Sequence, residues 1–438
     1  MKDADLTTSL WVEAPYMWVG GKWISNGVLK TKGNRILECR PKMPQEKVPE
    51  DFQALFLNNH AVMPGLINAH AHLGMGFLRA YGSDLPLMQW LHDHIFPFEK
   101  RNVSPEFVEK SMTLSILECF QSGITSVLEM YFFAEKMVSV VEKLGMRAQL
   151  CRTLSIYQTP ENSDVFQRME EFNTPFDSSR LVQRILGPHA NYSVSDEILH
   201  GIQKIQKRCP TRVHMHVQEA SHERNESIEK YGKTPIQRFK DAGIFNSTLS
   251  MAHGVHLNDE DQAECVKAGV SVVHCPDSNS LIASGIAPIA EFVKRGGVVA
   301  LGTDGPATNH QHNIWGAMNL GSKLQRLKSN DPSILPSHHW IDAATRGGAY
   351  AMGLAGQAGE LRGGAFADWI AVDLKAINLQ PVHDLSALLV HACLPENVSD
   401  VVVNGVFKKK DHHLVPELQA LANEVLEEIP SLISKWRT

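Results

Sequence analysis

At 438 residues and 48.7 kDa the chain exceeds one ordinary hydrophobic core, so one large domain with a smaller companion is the expected partition. A formal charge of -6 and a pI near 6.4 argue against a nucleic-acid or anionic-membrane partner. No apolar stretch approaches the ~20 residues of a membrane span, the first residues lack a signal-peptide pattern, and the seven cysteines are scattered without a Cys-x-x-Cys, so a reducing cytoplasm is the expected setting.

The first sixty residues read as short β segments at 16–20, 22–25 and 35–39. Similar segments recur at 367–373 and 401–405, and the two groups are expected to build one small β-sandwich from both termini. The expected partition is 1–60 and 356–438 for that sandwich, with 61–355 as a catalytic barrel. Within the barrel region, strand-like runs at 61–68, 125–130, 147–152, 184–189, 212–219, 249–253, 271–274 and 298–304 alternate with amphipathic stretches such as 106–121 and 259–268. Eight such units predict an α/β fold of the (β/α)8 TIM-barrel type. The Lys408-Lys-Lys410 run reads as a solvated turn, and the last stretch, 415–436, as an amphipathic helix that packs on the sandwich or on another subunit.

Polar groups cluster where these strands end: His70-Ala-His72, His189, His216-Val-Gln-Glu219, His253 and Asp304. With 21 histidines, chance supplies about one His-x-His pair. Four are present, and their settings differ. His70 and His72 follow an apolar run, and in a strand i and i+2 share a face, so both rings can reach one ion. His92 and His94 sit in a helical-looking stretch, where residues two apart diverge by roughly 200°, and read as structural. His310 and His312 read as pocket-rim groups or, in preference, as solvated side chains.

His70, His72, His216 and Asp304 offer three imidazoles and a carboxylate, a donor set for a catalytic zinc or ferrous ion with an open position. Such an ion lowers the pKa of a water from ~15.7 towards ~7. Glu219 is the candidate proton shuttle if the loop after its strand turns back. His253 is the candidate for holding the attacking water, although His256 is an equal candidate on sequence alone. Asp304 would also take a second proton for the departing group. Each residue taken singly is as easily structural, and it is their joint placement at strand ends that points to chemistry. The fourth strand ends in Pro188-His189-Ala190 without a lysine, which disfavours a binuclear centre bridged by a carboxylated lysine.

At this point the chain resembles the amidohydrolase superfamily and, within it, the 5'-methylthioadenosine/S-adenosylhomocysteine deaminases. The resemblance covers nearly the whole chain. It rests on Pro64-Gly-Leu-Ile-Asn-Ala-His-Ala-His72, Asp84-Leu-Pro-Leu-Met-Gln-Trp-Leu91, Ile95-Phe-Pro-Phe-Glu99, Gly187-Pro-His189, Ser284-Gly-Ile-Ala-Pro288 and Leu301-Gly-Thr-Asp-Gly305. It implies one zinc per subunit on His70, His72, His216 and Asp304, with Glu219, His253 and Asp304 catalytic. It further implies that Glu99 binds the ribose hydroxyls, His189 contacts the nucleoside, Trp90 lines the wall and Arg152 meets a substrate carboxylate. A small-molecule substrate and a homo-oligomer are implied as well. The chain departs from the family at 158–164, where a second arginine is usual and Arg168 is the nearest candidate. The competing expectations are a guanine, pterin or triazine deaminase or a chlorohydrolase on the same site, and a catalytically dead scaffold.

Overall fold

A computed structural model describes residues 8–436 apart from 157–159, 162, 163 and 173. Two sheets dominate it. One is an eight-stranded parallel barrel and the other a nine-stranded mixed sheet made from both ends of the chain.

The barrel strands are β1 (Leu66–Ala71), β2 (Ile124–Tyr131), β3 (Arg147–Leu154), β4 (Val182–Pro188), β5 (Val213–Val217), β6 (Leu249–His253), β7 (Ser271–His274) and β8 (Val299–Leu301). Each pairs with the next in parallel register. Closure follows from the backbone just past β8: the N–H groups of Thr303 and Asp304 both donate to the carbonyl of His70, at 3.1 and 3.0 Å. Every residue of these eight strands is buried except Val182 and Arg184, because helices cover the outside and side chains fill the inside. Side chains at the C-terminal ends therefore escape the core only at the barrel mouth.

The apolar run at 61–68 is expected as one strand. It is instead shared between the two sheets. His60–Pro64 lies in the mixed sheet between Ser9–Val19 and Trp369–Asp373, and β1 begins at Leu66. Gly65 makes the crossing: its N–H donates to Asp368 at 3.1 Å, and a Cβ there would stand 2.1 Å from Thr125 Oγ1. Arg147 and Asp368, both buried, join the sheets with an Nε–Oδ2 hydrogen bond of 2.5 Å.

One further expectation is corrected. Lys408 and Lys409 are not a solvated turn. Both are buried in the strand Val406–Lys410, where their ammonium groups donate to the carbonyls of Leu144 and Gln121, at the C-terminal ends of two barrel helices. Positive charge is favoured there by the helix dipole. The terminal helix Pro416–Trp436 meets the strand His413–Leu414 of the mixed sheet, as expected, and packs as well on the barrel helix Pro105–Ser122, where its Trp436 ring meets Phe77, Phe98 and Phe107. Among the described residues no helix is long and apolar enough to cross a membrane.

Candidate metal centre and active-site cavity

His70 lies on β1 and His72 just beyond it, His189 follows β4, His216 is on β5, His253 ends β6 and Asp304 follows β8. The parallel register brings all six to the mouth of the barrel. His253 and Asp304 hold positive φ angles, 71° and 61°. A left-handed backbone at a non-glycine residue is costly, and its appearance at two strand ends marks sites where side-chain aim is overdetermined by the surrounding structure.

The rings are oriented from behind. His72 Nδ1–H donates to the Met130 carbonyl and His216 Nδ1–H to the His189 carbonyl, at 2.5 and 2.6 Å. His253 Nδ1 donates to Asn279 Oδ1 at 2.9 Å, and His70 Nδ1 meets His214 Nε2 at 2.8 Å. A carbonyl can only accept, so in His72 and His216 the proton is on Nδ1 and Nε2 presents a lone pair inward. Those two Nε2 atoms lie 3.2 Å apart. Two lone pairs cannot bond one another, and an ion between them resolves the contact. His70 Nε2 and His253 Nε2 are buried without a hydrogen-bond partner. Ring nitrogens anchored on one side and unsatisfied on the other are how metal-binding histidines are built.

Asp304 completes the set. Its Oδ1 is 3.3 Å from His70 Nε2 and 3.1 Å from His72 Nε2. Its Oδ2 accepts from Ser278 at 2.5 Å and Thr308 at 3.1 Å. Burial would raise its pKa, but the imidazoles of His70 and His72 hold it well below the carboxylate range. Burial also drives His70 down to about 3 and His216 well below the usual histidine value, while Asp304 outweighs burial at His72 and lifts it to about 9. One positive charge, a proton on His72 or an ion taking its place at Nε2, therefore balances the Asp304 carboxylate. Ligand atoms of His70, His216, His253 and Asp304 all lie within 4.8 Å of one another, so His253 stands as close to the centre as a ligand does. The donor set fits a metal ion.

Glu219 reaches the cavity because the chain reverses after β5. Gln218 adopts φ 50°, and the buried carboxylate of Glu223 accepts the N–H groups of Gln218, Glu219 and Ala220 at 2.8 to 2.9 Å. Glu219 is buried, 3.7 Å from His253 Nδ1, and burial pushes its pKa up to about 7. Glu99 is buried too, accepts the Tyr131 hydroxyl at 2.9 Å, and is raised by burial to about 7. Trp90, whose indole N–H donates to Tyr81 at 3.0 Å, lines the same cavity as Glu99, Tyr131, His189, Glu219 and Asp304.

Arg152 does not join them. Along β3 side chains alternate, so Thr153 lines the cavity while Arg152 points outward, its guanidinium paired with Glu135 and, at 2.8 Å, with Glu171. His312 corrects another expectation: it is fully buried, with Nδ1 3.2 Å from Thr303 Oγ1, rather than solvated. His256, the alternative to His253, donates its Nε2 proton to the Ser284 carbonyl at 2.9 Å, away from the donor cluster. Sequence reasoning did not single out Tyr131, Ser278, Thr308 or Glu223. Only Ser278 carried a signal, a polar Asp277-Ser-Asn279 run directly after β7.

A closed parallel barrel with three or four imidazoles and one carboxylate converging at its mouth defines a hydrolase built around a metal centre. The Amidohydrolase family matches residues 61–408, and the chain belongs to it. It is 36% identical over 406 residues to a 5-methylthioadenosine/S-adenosylhomocysteine deaminase of Caldanaerobacter subterraneus subsp. tengcongensis, covering 92% of this chain and 93% of that protein. A protein of the same name from Pelotomaculum thermopropionicum is 36% identical over 386 residues, covering 87% and 88%. Among solved structures, an adenosine deaminase from Xanthomonas campestris with bound zinc superposes with a TM-score of 0.89 at 31% identity, over 97% and 99% of the two chains. The atrazine chlorohydrolase TrzN of Arthrobacter aurescens TC1 shares the fold, with a TM-score of 0.86 over 96% and 100% of the two chains at 22% identity.

Proposed function

We propose that the chain is a zinc-dependent aminohydrolase that converts a 6-aminopurine nucleoside to its 6-oxo product and releases ammonia. The observation that carries this reading is Glu99: a buried carboxylate opening into the same cavity as the metal donors, suited to accept two ribose hydroxyls. A free base or a triazine has no such hydroxyls. The relatives named as methylthioadenosine and adenosine deaminases support the same class.

His70, His72, His216 and Asp304 would hold one zinc per subunit, and ferrous iron suits the same donors. Bound there, the ion would supply Lewis-acid activation, which lowers a water's pKa towards ~7. Glu219, poised near pH 7, takes one proton from the attacking water as its oxygen bonds to C6, and delivers that proton to the ring nitrogen next to C6. His253 orients the water by a hydrogen bond. Asp304 takes the second proton and passes it to the amino group, which departs as ammonia when the C6–N bond breaks. His189 and Trp90 contact the base and wall. The barrel, whose first strand begins at Leu66, carries all of these groups, and the terminal sheet supports it.

The seven cysteines are free thiols, which suits the reducing cytoplasm where we place a homo-oligomer of this chain. A panel of nucleosides and free bases, read as ammonia release by zinc-loaded protein, tests the reading. Turnover of nucleosides is expected; turnover of guanine, pterins or triazines alone would overturn it in favour of another amidohydrolase activity.

A further inference from the structure

We infer that the substrate's 5' substituent is uncharged, as in a short alkylthio or hydroxyl group, and that an amino-acid tail ending in a carboxylate is discriminated against. This rests on the nucleoside reading above and narrows it. The cavity that holds the metal donors and Glu99 is lined, among the described residues, by no lysine and no arginine. It already holds three carboxylates, Glu99, Glu219 and Asp304, set among apolar groups such as Leu91, Phe96 and Phe132. Whichever way the nucleoside's 5' end points within it, a carboxylate tail meets no fixed cation among the described residues and gains no charge-assisted pair from them.

The two guanidiniums on and behind β3 are both committed elsewhere. Arg152 is on the outer face of β3, held by Glu135 and Glu171, and lines a separate surface groove with them. Arg168 is buried behind β3, donating to the Thr153 carbonyl at 3.2 Å and pairing with Glu161 at 3.4 Å. Thr153, the inward neighbour of Arg152, donates its hydroxyl to the Tyr131 carbonyl at 2.8 Å. Residues 157–159, 162, 163 and 173 include no lysine or arginine in sequence. Rotating Arg152 inward would require strand β3 to reverse its alternation, which would turn every side chain of the strand to the opposite face.

The test compares kcat/KM of the zinc-loaded protein for 5'-methylthioadenosine, adenosine, 5'-butylthioadenosine and S-adenosylhomocysteine. The butylthio compound has a tail of similar reach without charge. The first three are expected within about tenfold of one another, with S-adenosylhomocysteine lower by at least about 10²-fold, the scale of the cost of desolvating a charged group without a partner. S-adenosylhomocysteine turned over within tenfold of methylthioadenosine overturns the inference and leaves the nucleoside reading intact. Equal loss on the butylthio compound also overturns it, because the exclusion is then by size. Silence on every nucleoside by folded, metal-bearing protein removes the nucleoside reading itself. A Glu135→Gln/Glu171→Gln variant, which frees Arg152, is expected to keep the same selectivity ratio; a tenfold gain for S-adenosylhomocysteine would show that Arg152 reaches the cavity after all.

Discussion

Ser278 Oγ lies 2.5 Å from Oδ2 of Asp304, the oxygen turned away from the imidazoles. With Thr308 on the same oxygen at 3.1 Å, it fixes which lone pairs of Asp304 face the centre. Ser278→Ala should therefore weaken metal binding by roughly 10- to 100-fold, the usual worth of a group that orients a ligand. Equilibrium dialysis against a zinc buffer reads this directly. Undiminished affinity would mean that the closure of the barrel at His70 and Asp304 is sufficient to aim the carboxylate.

Glu219→Gln keeps the size and backbone of the loop but removes the base. The variant should bind zinc as before and lose at least about 10²-fold in kcat. Retained turnover would assign the proton transfer to another group.

Glu223 acts on the reaction only through the turn it holds. Its carboxylate accepts three consecutive N–H groups around Glu219. Glu223→Ala leaves those donors buried and unpaired, at a cost of several kcal/mol, and should lower both Tm and kcat. Glu223→Gln, which still accepts, should recover part of each. A variant that loses stability but keeps full kcat per folded molecule would deny it a positioning role.

Glu99 predicts an opposition between binding and stability. Its folded pKa of about 7 lies above the 4.5 of an ordinary glutamate. Between those values the folded protein retains a proton that the unfolded chain has released, so stability falls as pH rises through that window. The penalty is complete above about pH 7, and amounts to up to about 3 kcal/mol from about 1.4 kcal/mol per tenfold change in proton affinity. Glu99→Gln should thus raise Tm at pH 8.5, leave it unchanged at pH 4, and weaken nucleoside binding at both. A Tm gain equal at the two pH values would place the effect in packing rather than charge.

Much of this site was legible in the sequence because strand ends concentrate it. His70, His72, His216, His253 and Asp304 each close an apolar run, and parallel register does the rest. What stayed hidden depended on facing and on partners far apart in sequence. The run at 61–68 is apolar throughout, so nothing in its pattern says that Gly65 hands the chain from one sheet to another. In β3 every residue is buried on one side or the other, so the parity that turns Thr153 inward and Arg152 outward leaves no alternation to read. Lys408 and Lys409 look like a solvated run until the helix ends at Gln121 and Leu144 are brought to them. His312 belongs to the same class, buried against Thr303 and Glu118 by contacts the local sequence does not announce.

The central claim is hydrolytic deamination at a metal centre. The most direct measurement incubates zinc-loaded protein with 5'-methylthioadenosine in isotopically labelled water and follows ammonia and the nucleoside product together. One ammonia released per 6-oxo nucleoside formed, with the label on the new oxygen, and both lost in Glu219→Gln, is the predicted result. A folded, zinc-bearing protein that leaves adenine nucleosides intact would contradict it.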